Sequence, residues 1–509
     1  MRQSADLLCC SAVCNGRQRH SGARDRRFLD RGDDQRVDDG HQLGLRPRGA
    51  TRRLTNNGGP TADKTSNHSI LKAAKIRARR GIAGGLIFLV WSALCLFGAR
   101  AYSQTGIGET LSGPDSHETR QGADGHLLGD WGGVRTRLLQ RGVRFDFQYI
   151  SDTLWGFKSQ QKPQFATWNR FRATVDIDFG ALAGQEGLYF HATGLWQAGG
   201  NLGEKLGLLT GPSGMASNNT ARLDSWWIEK RWLDERIVAR VGQFAGQDFY
   251  GVQHYGASFI FEPMGYALGN LFTTVETFDP FSTPAAEIRI IPFDTLYLKS
   301  MVMAGDPTPF SHNRTGFVPE FHGNPVVVSE IGFTPGQKAT SVRAFDNIES
   351  RKGYSGLYQF GAAYNPGEFT DPMSPTPVSG NYLLYSKASQ ALWRVDPKEA
   401  RGLDATFTFD WSPPNVNRNY TQLTAGLRFN EPLPLGFHNT MSLGYVRNVL
   451  SSQFLLPGMP AFKTEHGVEF NVLMLSGPLL VQPVIQYYAN VGGIGGRAFV
   501  VGFRTKLDL

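Results

Sequence analysis

The chain has 509 residues, with 52 Lys+Arg against 44 Asp+Glu, but the apparent net charge of +8 is unevenly placed: residues 1–101 carry 19 basic side chains, 8 acidic ones and all four cysteines, leaving 33 basic and 36 acidic residues from Tyr102 onward. The body of the chain is therefore slightly acidic and free of cysteine. That excludes a basic nucleic-acid-binding protein, a disulfide scaffold, a thiol enzyme and any Cys-ligated zinc or iron–sulfur centre.

Met1–Ala50 holds ten Arg and no Lys, with no sustained period of 3.6 or 2. Residues 1–70 accordingly read as disordered or not made, with translation expected to begin near Leu71. Residues 71–101 read as a secretory signal. Lys72, Lys75, Arg77, Arg79 and Arg80 form its basic region, Ile82–Phe97 is an apolar core of 16 residues, and Ala99-Arg100-Ala101 fits small-x-small cleavage after Ala101. The alternative is a single membrane anchor, which needs about 20 apolar residues. The short core and its flanks favour export through the Sec pathway and removal. No later run is long and apolar enough for a membrane helix.

Residues 102–142 precede the first strand. Within them Trp131–Arg141 spaces Val134, Leu138 and Leu139 at helical intervals, and Gly142 suits the C′ position. A short amphipathic helix at or inside the periplasmic mouth is one reading; a loop is the other.

From Val143 to Leu509 segments of about ten residues alternate apolar with polar. Val143, Phe145, Phe147 and Tyr149 alternate with Arg144, Asp146 and Gln148; Phe171, Ala173, Val175, Ile177 and Phe179 alternate with Arg170, Arg172, Thr174, Asp176 and Asp178. Leu403–Trp411, Gln422–Phe429 and Val468–Met474 repeat the pattern. In the last strand Phe499, Val501, Phe503, Leu507 and Leu509 oppose Arg504, Lys506 and Asp508. The Pro- and Gly-rich stretches Gly305–Pro325 and Tyr364–Gly380 read as long connections that lie outside or fold inward.

An all-β chain of this kind must hide one face, against a second protein layer or against lipid. A soluble sandwich or propeller turns its apolar face inward, whereas an outer-membrane barrel turns it to lipid and lines a wet lumen with charge. The export signal, an amphipathic strand reaching Leu509 and the strand-terminal aromatics Trp155, Phe179, Trp196, Phe244 and Trp411 favour the barrel. Lipid forbids open edges, so the antiparallel sheet must close. At roughly 20–25 residues per strand with its connection, the length predicts 14–18 strands.

Specific motifs carry a resemblance. Leu127-Leu128-Gly129-Asp130-Trp131-Gly132-Gly133-Val134-Arg135, followed by Leu138, Gly142, Val143 and Asp152, is similar to the opening signature of the carbohydrate-selective (OprB-like) outer-membrane porins. The similarity continues at Trp227-Ile228-Glu229, Val241-Gly242-Gln243-Phe244, Gly402-Leu403 with Phe407, Gln482-Pro483, Gln486-Tyr487, Gly492-Gly493 and Val501-Gly502-Phe503-Arg504. It spans Gly125–Leu509. Two positions depart: Val491 stands where the pattern has Pro, and Leu509 where it has an aromatic end that the barrel-assembly machinery reads. The resemblance implies a 16-stranded porin, monomeric or homotrimeric, in the outer membrane of a Gram-negative bacterium, with glucose-type sugars as solutes and lipid around it.

Strand parity supplies lumen candidates. With Phe171, Val175, Trp226, Ile228, Ala239, Val241, Ile288 and Ile290 outward, the inward set is Arg170, Arg172, Trp227, Glu229, Arg240, Glu287 and Arg289. These are the expected pore-lining residues, because a neutral sugar offers hydroxyls for Arg and Glu and an apolar ring face for aromatic groups. The plainer reading is that they pair across strands and support the wall. Charge on the lipid face would cost about 2–4 kcal/mol at midplane.

No G-x-S-x-G, H-E-x-x-H, P-loop or dinucleotide fingerprint occurs, so no catalytic residue, cofactor or metal is expected. His466 and Glu469 come nearest to a metal pair, but a spacing of three on a strand puts them on opposite faces. A barrel enzyme and a secreted glycan-binding sandwich or propeller are the alternative readings.

Overall fold

The computed structural model describes residues 125–246, 249–250, 255–265, 274, 280–341, 353–434, 437–454 and 463–509. The expected leader 71–101 and the segment 1–70 lie outside the described residues. Sixteen strands follow one another around one closed antiparallel barrel, in which β1 also pairs with β16. They are β1 (Val143–Lys158), β2 (Gln164–Asp178), β3 (Leu188–Gly199), β4 (Thr220–Trp232), β5 (Ile237–Phe244), β6 (Thr283–Phe293), β7 (Leu296–Gly305) and β8 (Asn324–Phe333), then β9 (Gly356–Phe369), β10 (Val378–Arg394), β11 (Gly402–Trp411), β12 (Asn419–Asn430), β13 (His438–Leu450), β14 (Thr464–Ser476), β15 (Leu479–Ala489) and β16 (Arg497–Asp508). The sheet closes on itself, and among the described residues no second layer covers its outer face, which rules out the sandwich and the propeller.

The period-two pattern decides which way each side chain points. On β2 Phe165 and Phe171 face out while Ala166, Trp168, Arg170, Asp176 and Asp178 are buried inside. Burying these charges in a lumen while Phe, Ile, Leu and Trp cover the outside is the arrangement a lipid surround demands. Trp155 and Trp196 take exposed outer positions as expected. Phe244 does not: it is fully buried on the inner face, edge-on to Phe249 at 5.1 Å, because the connection following β5 turns inward over it.

β1 begins and β16 ends at one rim, called here the terminal rim. Most connections there are short, the exception being 334–355. The opposite rim carries the long connections 200–219, 245–282 and 306–323. The last matches the expected stretch Gly305–Pro325. Tyr364–Gly380, in contrast, is mostly strand: Tyr364 pairs with Tyr382 and Asn365 with Asn381, and the register shift between Ser379 and Asn381 absorbs Gly380. Pro366 is tolerated because it falls beside this bulge, where no ladder N–H is required.

β5 is short, so β4 loses its partner above Trp226↔Gln243. The 306–323 connection covers that edge: Leu223 N–H donates to Thr315 O at 2.9 Å and Gln243 Nε2 to Gly316 O at 3.2 Å. Where β1 meets β16, Arg504 grips Asp152 with two hydrogen bonds of 2.7 and 2.8 Å. Before β1, helix Val134–Gln140 forms as one of the two readings proposed. Its Arg135 donates to Leu509 O at 2.8 Å and Trp131 packs on Phe147, so it sits on the terminal rim. Gly142, at φ +81, ends it; a Cβ there would lie 2.6 Å from Asp178 O.

Candidate functional site

Direct pairing builds a row of alternating charge along the inner wall. Glu229 on β4 lies opposite Arg240 on β5, and Arg240 opposite Glu287 on β6. Arg240 bonds both, Nη2 to Glu229 Oε2 at 2.5 Å and Nη1 to Glu287 Oε1 at 2.9 Å, while Arg231 Nε takes the other Glu229 oxygen at 2.5 Å. One pleat nearer the terminal rim a second row runs Arg289, Lys299, Glu330. Lys299 meets Glu330 at 3.0 Å, and the hydroxyls of Tyr297 and Tyr385 donate to the same carboxylate at 2.8 and 2.7 Å. Arg231, Arg240 and Lys299 each have a carboxylate within reach, which offsets much of the desolvation that burial imposes.

The 245–282 connection lays two aromatic residues on these rows. The Arg240 guanidinium lies 3.9 Å from the Phe249 ring centroid, and Lys299 Nζ 4.5 Å from that of Tyr250 and bonded to Phe249 O. Burial, with Glu287 and Glu330 close by, pushes the Tyr250 hydroxyl well above its ordinary pKa, so it remains a neutral donor. The same connection then reaches the opposite wall. Phe259, Phe261 and Met264 settle where Gly426, Gly444 and Gly467 leave β12, β13 and β14 smooth; a Cβ on Gly444 would come 2.9 Å from Phe259 and one on Gly467 2.5 Å from Phe261. Glu469 accepts from the N–H groups of Ile260 and Phe261 at 3.0 and 2.8 Å.

The 200–219 connection folds in beside it. Leu202 and Leu206 pack with Leu154 on β1, and Glu465 accepts from Leu209 N–H and Thr210 N–H. The two connections join where Gly211 N–H donates to Glu262 Oε2 at 2.5 Å and Gly214 N–H to Ile260 O at 2.9 Å. Burial pushes the Glu262 carboxyl above its usual pKa, against the lowering by the Gly211 N–H. The lumen is thus crossed by chain held at both walls.

Trp227, Glu229, Arg240 and Glu287 come together, and Arg289 lies beside them, its guanidinium over Tyr297 at 4.9 Å and bonded to Ala339 O. The β4 bulge falls before Trp227 and the β6 register shift after Arg289, so parity holds for all five. Trp227 is inward but only 4% exposed, with His191 stacked at 4.8 Å and Arg240 at 4.7 Å, so its ring has little surface to offer a solute. Arg170 stands apart, bonded to Gln197 and to Met215 O of the 200–219 connection, and Arg172 lies inward on β2 between Gln148 and Leu195.

Sequence reasoning missed Lys299, Glu330, Tyr297 and Tyr385, although parity on β7, β8 and β10 would have found them. Phe249 and Tyr250 carry no such signal, since a connection has no period. Among the described residues no three His, Cys, Asp or Glu side chains group as a metal site. His466 and Glu469 take opposite faces of β14.

The model of the OprB family of carbohydrate-selective porins matches residues 162–509. Porin B of Pseudomonas aeruginosa is 22% identical over 75% of this chain and 90% of its own length. A high-pH structure of Pseudomonas putida OprB superposes with a TM-score of 0.67 at 17% identity, covering 76% of this chain and 98% of that one.

Proposed function

Because the chain belongs to the OprB family of carbohydrate-selective porins, we propose that it admits glucose-type sugars by diffusion through the barrel lumen, and that selection occurs where the 245–282 connection meets the Glu229–Arg240–Glu287 row. It works in the outer membrane of a Gram-negative bacterium, with the terminal rim in the periplasm and its leader removed after Ala101. The observation that carries this reading is Arg240, held between two carboxylates and faced by Phe249.

Mechanistically, such a row suits a neutral polyol. Guanidinium N–H groups donate and carboxylate oxygens accept, so a sugar exchanges its water hydrogen bonds for wall hydrogen bonds at little net cost. The alternation of sign gives no steep potential to trap an ion, and binding stays weak enough for exit. Phe249 and Tyr250 lie buried over the two rows and fix Arg240 and Lys299 from the lumen side, while Trp227 holds Arg240 in place. Arg170 positions the 200–219 connection, and Arg172 and Arg289 extend the donor lining above and below.

Planar-bilayer conductance tests this. Glucose-type sugars are expected to block ion current in a concentration-dependent way and to enter proteoliposomes faster than a zwitterion of similar size. Trp227→Ala and Arg172→Ala should alter sugar flux more than expression. A current indifferent to sugar would remove carbohydrate selectivity and leave the channel.

A further inference from the structure

At the rim opposite the termini, between the β1–β2 turn and the β15–β16 hairpin, a groove of about 310 Å³ opens on the outward face of the barrel. Its floor is one cross-strand row, Phe157 opposite Phe499 and Phe499 opposite Tyr487. These rings are 43%, 41% and 41% exposed, so among the described residues each keeps an open outer face. Arg497 is two residues beyond Phe499 on the same face, hence about 7 Å nearer the rim. It is exposed, and no described residue bonds its guanidinium. Lys162 is exposed on the adjoining turn, Lys158 lines the groove with its Nζ on Leu206 O at 2.8 Å, and no carboxylate lines it.

An aromatic floor at the membrane boundary, a cationic upper edge and no acid describe a receptor for an anionic amphiphile. We propose that this groove binds the phosphorylated headgroup of a glycolipid in the outer leaflet. Arg497 takes a phosphate in the paired geometry that a guanidinium offers, and Phe157, Phe499 and Tyr487 lie along the first acyl segments. The hydroxyl of Ser159 and the amide of Gln161, both lining the groove, supply hydrogen bonds that suit a sugar headgroup better than a glycerol one. The inference rests on the outer-membrane orientation given above and is independent of sugar selectivity.

The test uses the purified full-length barrel in detergent, followed by native mass spectrometry with three probes: a lipopolysaccharide lacking its polysaccharide chain, the same lipid stripped of phosphate, and phosphatidylglycerol. The phosphorylated glycolipid should be retained in preference to the other two. Arg497→Glu combined with Lys162→Glu should weaken that retention about tenfold. Lys398→Glu combined with Arg141→Glu, two exposed cations at the terminal rim, should leave it unchanged and so controls for net charge. Equal retention of the stripped lipid or of phosphatidylglycerol overturns the proposal, as does a groove double variant that binds like the parent. Sugar block of the current, measured on the same variants, should not move; its loss in the parent protein would count against the transport reading alone.

Discussion

Arg240→Met separates wall support from solute selection. The substitution removes the cation that Glu229 and Glu287 share at 2.5 and 2.9 Å and the charge under the Phe249 ring, yet keeps an apolar stem of similar reach. Breaking a buried pair from one side costs about 3–5 kcal/mol, which should lower the temperature at which the barrel loses its compact electrophoretic mobility. The permeation effect follows from Coulomb's law. One uncompensated negative charge about 6 Å from a passing ion, at an effective dielectric of about 60, changes its energy by about 1 kcal/mol, or roughly fivefold in occupancy. Reversal potentials across a salt gradient should therefore shift toward cations by about that ratio, and sugar block should weaken. A folded variant with unaltered permeability ratio and unaltered block would refute the assignment of Arg240 to the selective zone.

Three further outcomes are expected. Gly444→Leu should unseat Phe259, since even a Cβ there would lie 2.9 Å from its ring; conductance should rise and the 245–282 connection should become cleavable by protease. Glu262 has a folded pKa above the ordinary 4.5 because it is buried, so its protonated form favours the docked arrangement. That contribution is complete below about pH 4.5 and is lost as pH rises through the folded value; current noise should grow over that interval, and Glu262→Gln should flatten the profile. Glu330→Leu should leave Lys299 buried without its carboxylate and lower thermal stability by about 3–5 kcal/mol, whereas the double variant Glu330→Leu with Lys299→Met should recover most of the loss.

Much of the wall was legible in the sequence because strand periodicity and the cost of charge in lipid point the same way. Phe171 and Val175 outside fix Arg170 and Arg172 inside, and the same logic placed Glu229, Arg240, Glu287 and Arg289. The failures fall where that coupling is absent. Phe244 looked like a boundary aromatic but is covered from within, and Pro366 with Gly380 imitated a turn while forming a bulge in a continuing hairpin. Most of the site's architecture comes from connections, whose Phe249, Tyr250 and Phe259 obey no period. Their counterparts Gly426, Gly444 and Gly467 signal only the lack of a side chain.

The clasp between Asp152 and Arg504 spans 352 positions of sequence. Closing an unstructured chain over that span would carry an entropic cost of about 5 kcal/mol, which the intervening hairpins lower as each ribbon pairs with the one before it. The wall can grow hairpin by hairpin, but the circle is completed only once the final ribbon has been delivered. Shortening that ribbon by a few residues should abolish the whole assembled vessel, whereas trimming an equal length from a surface turn should leave it intact.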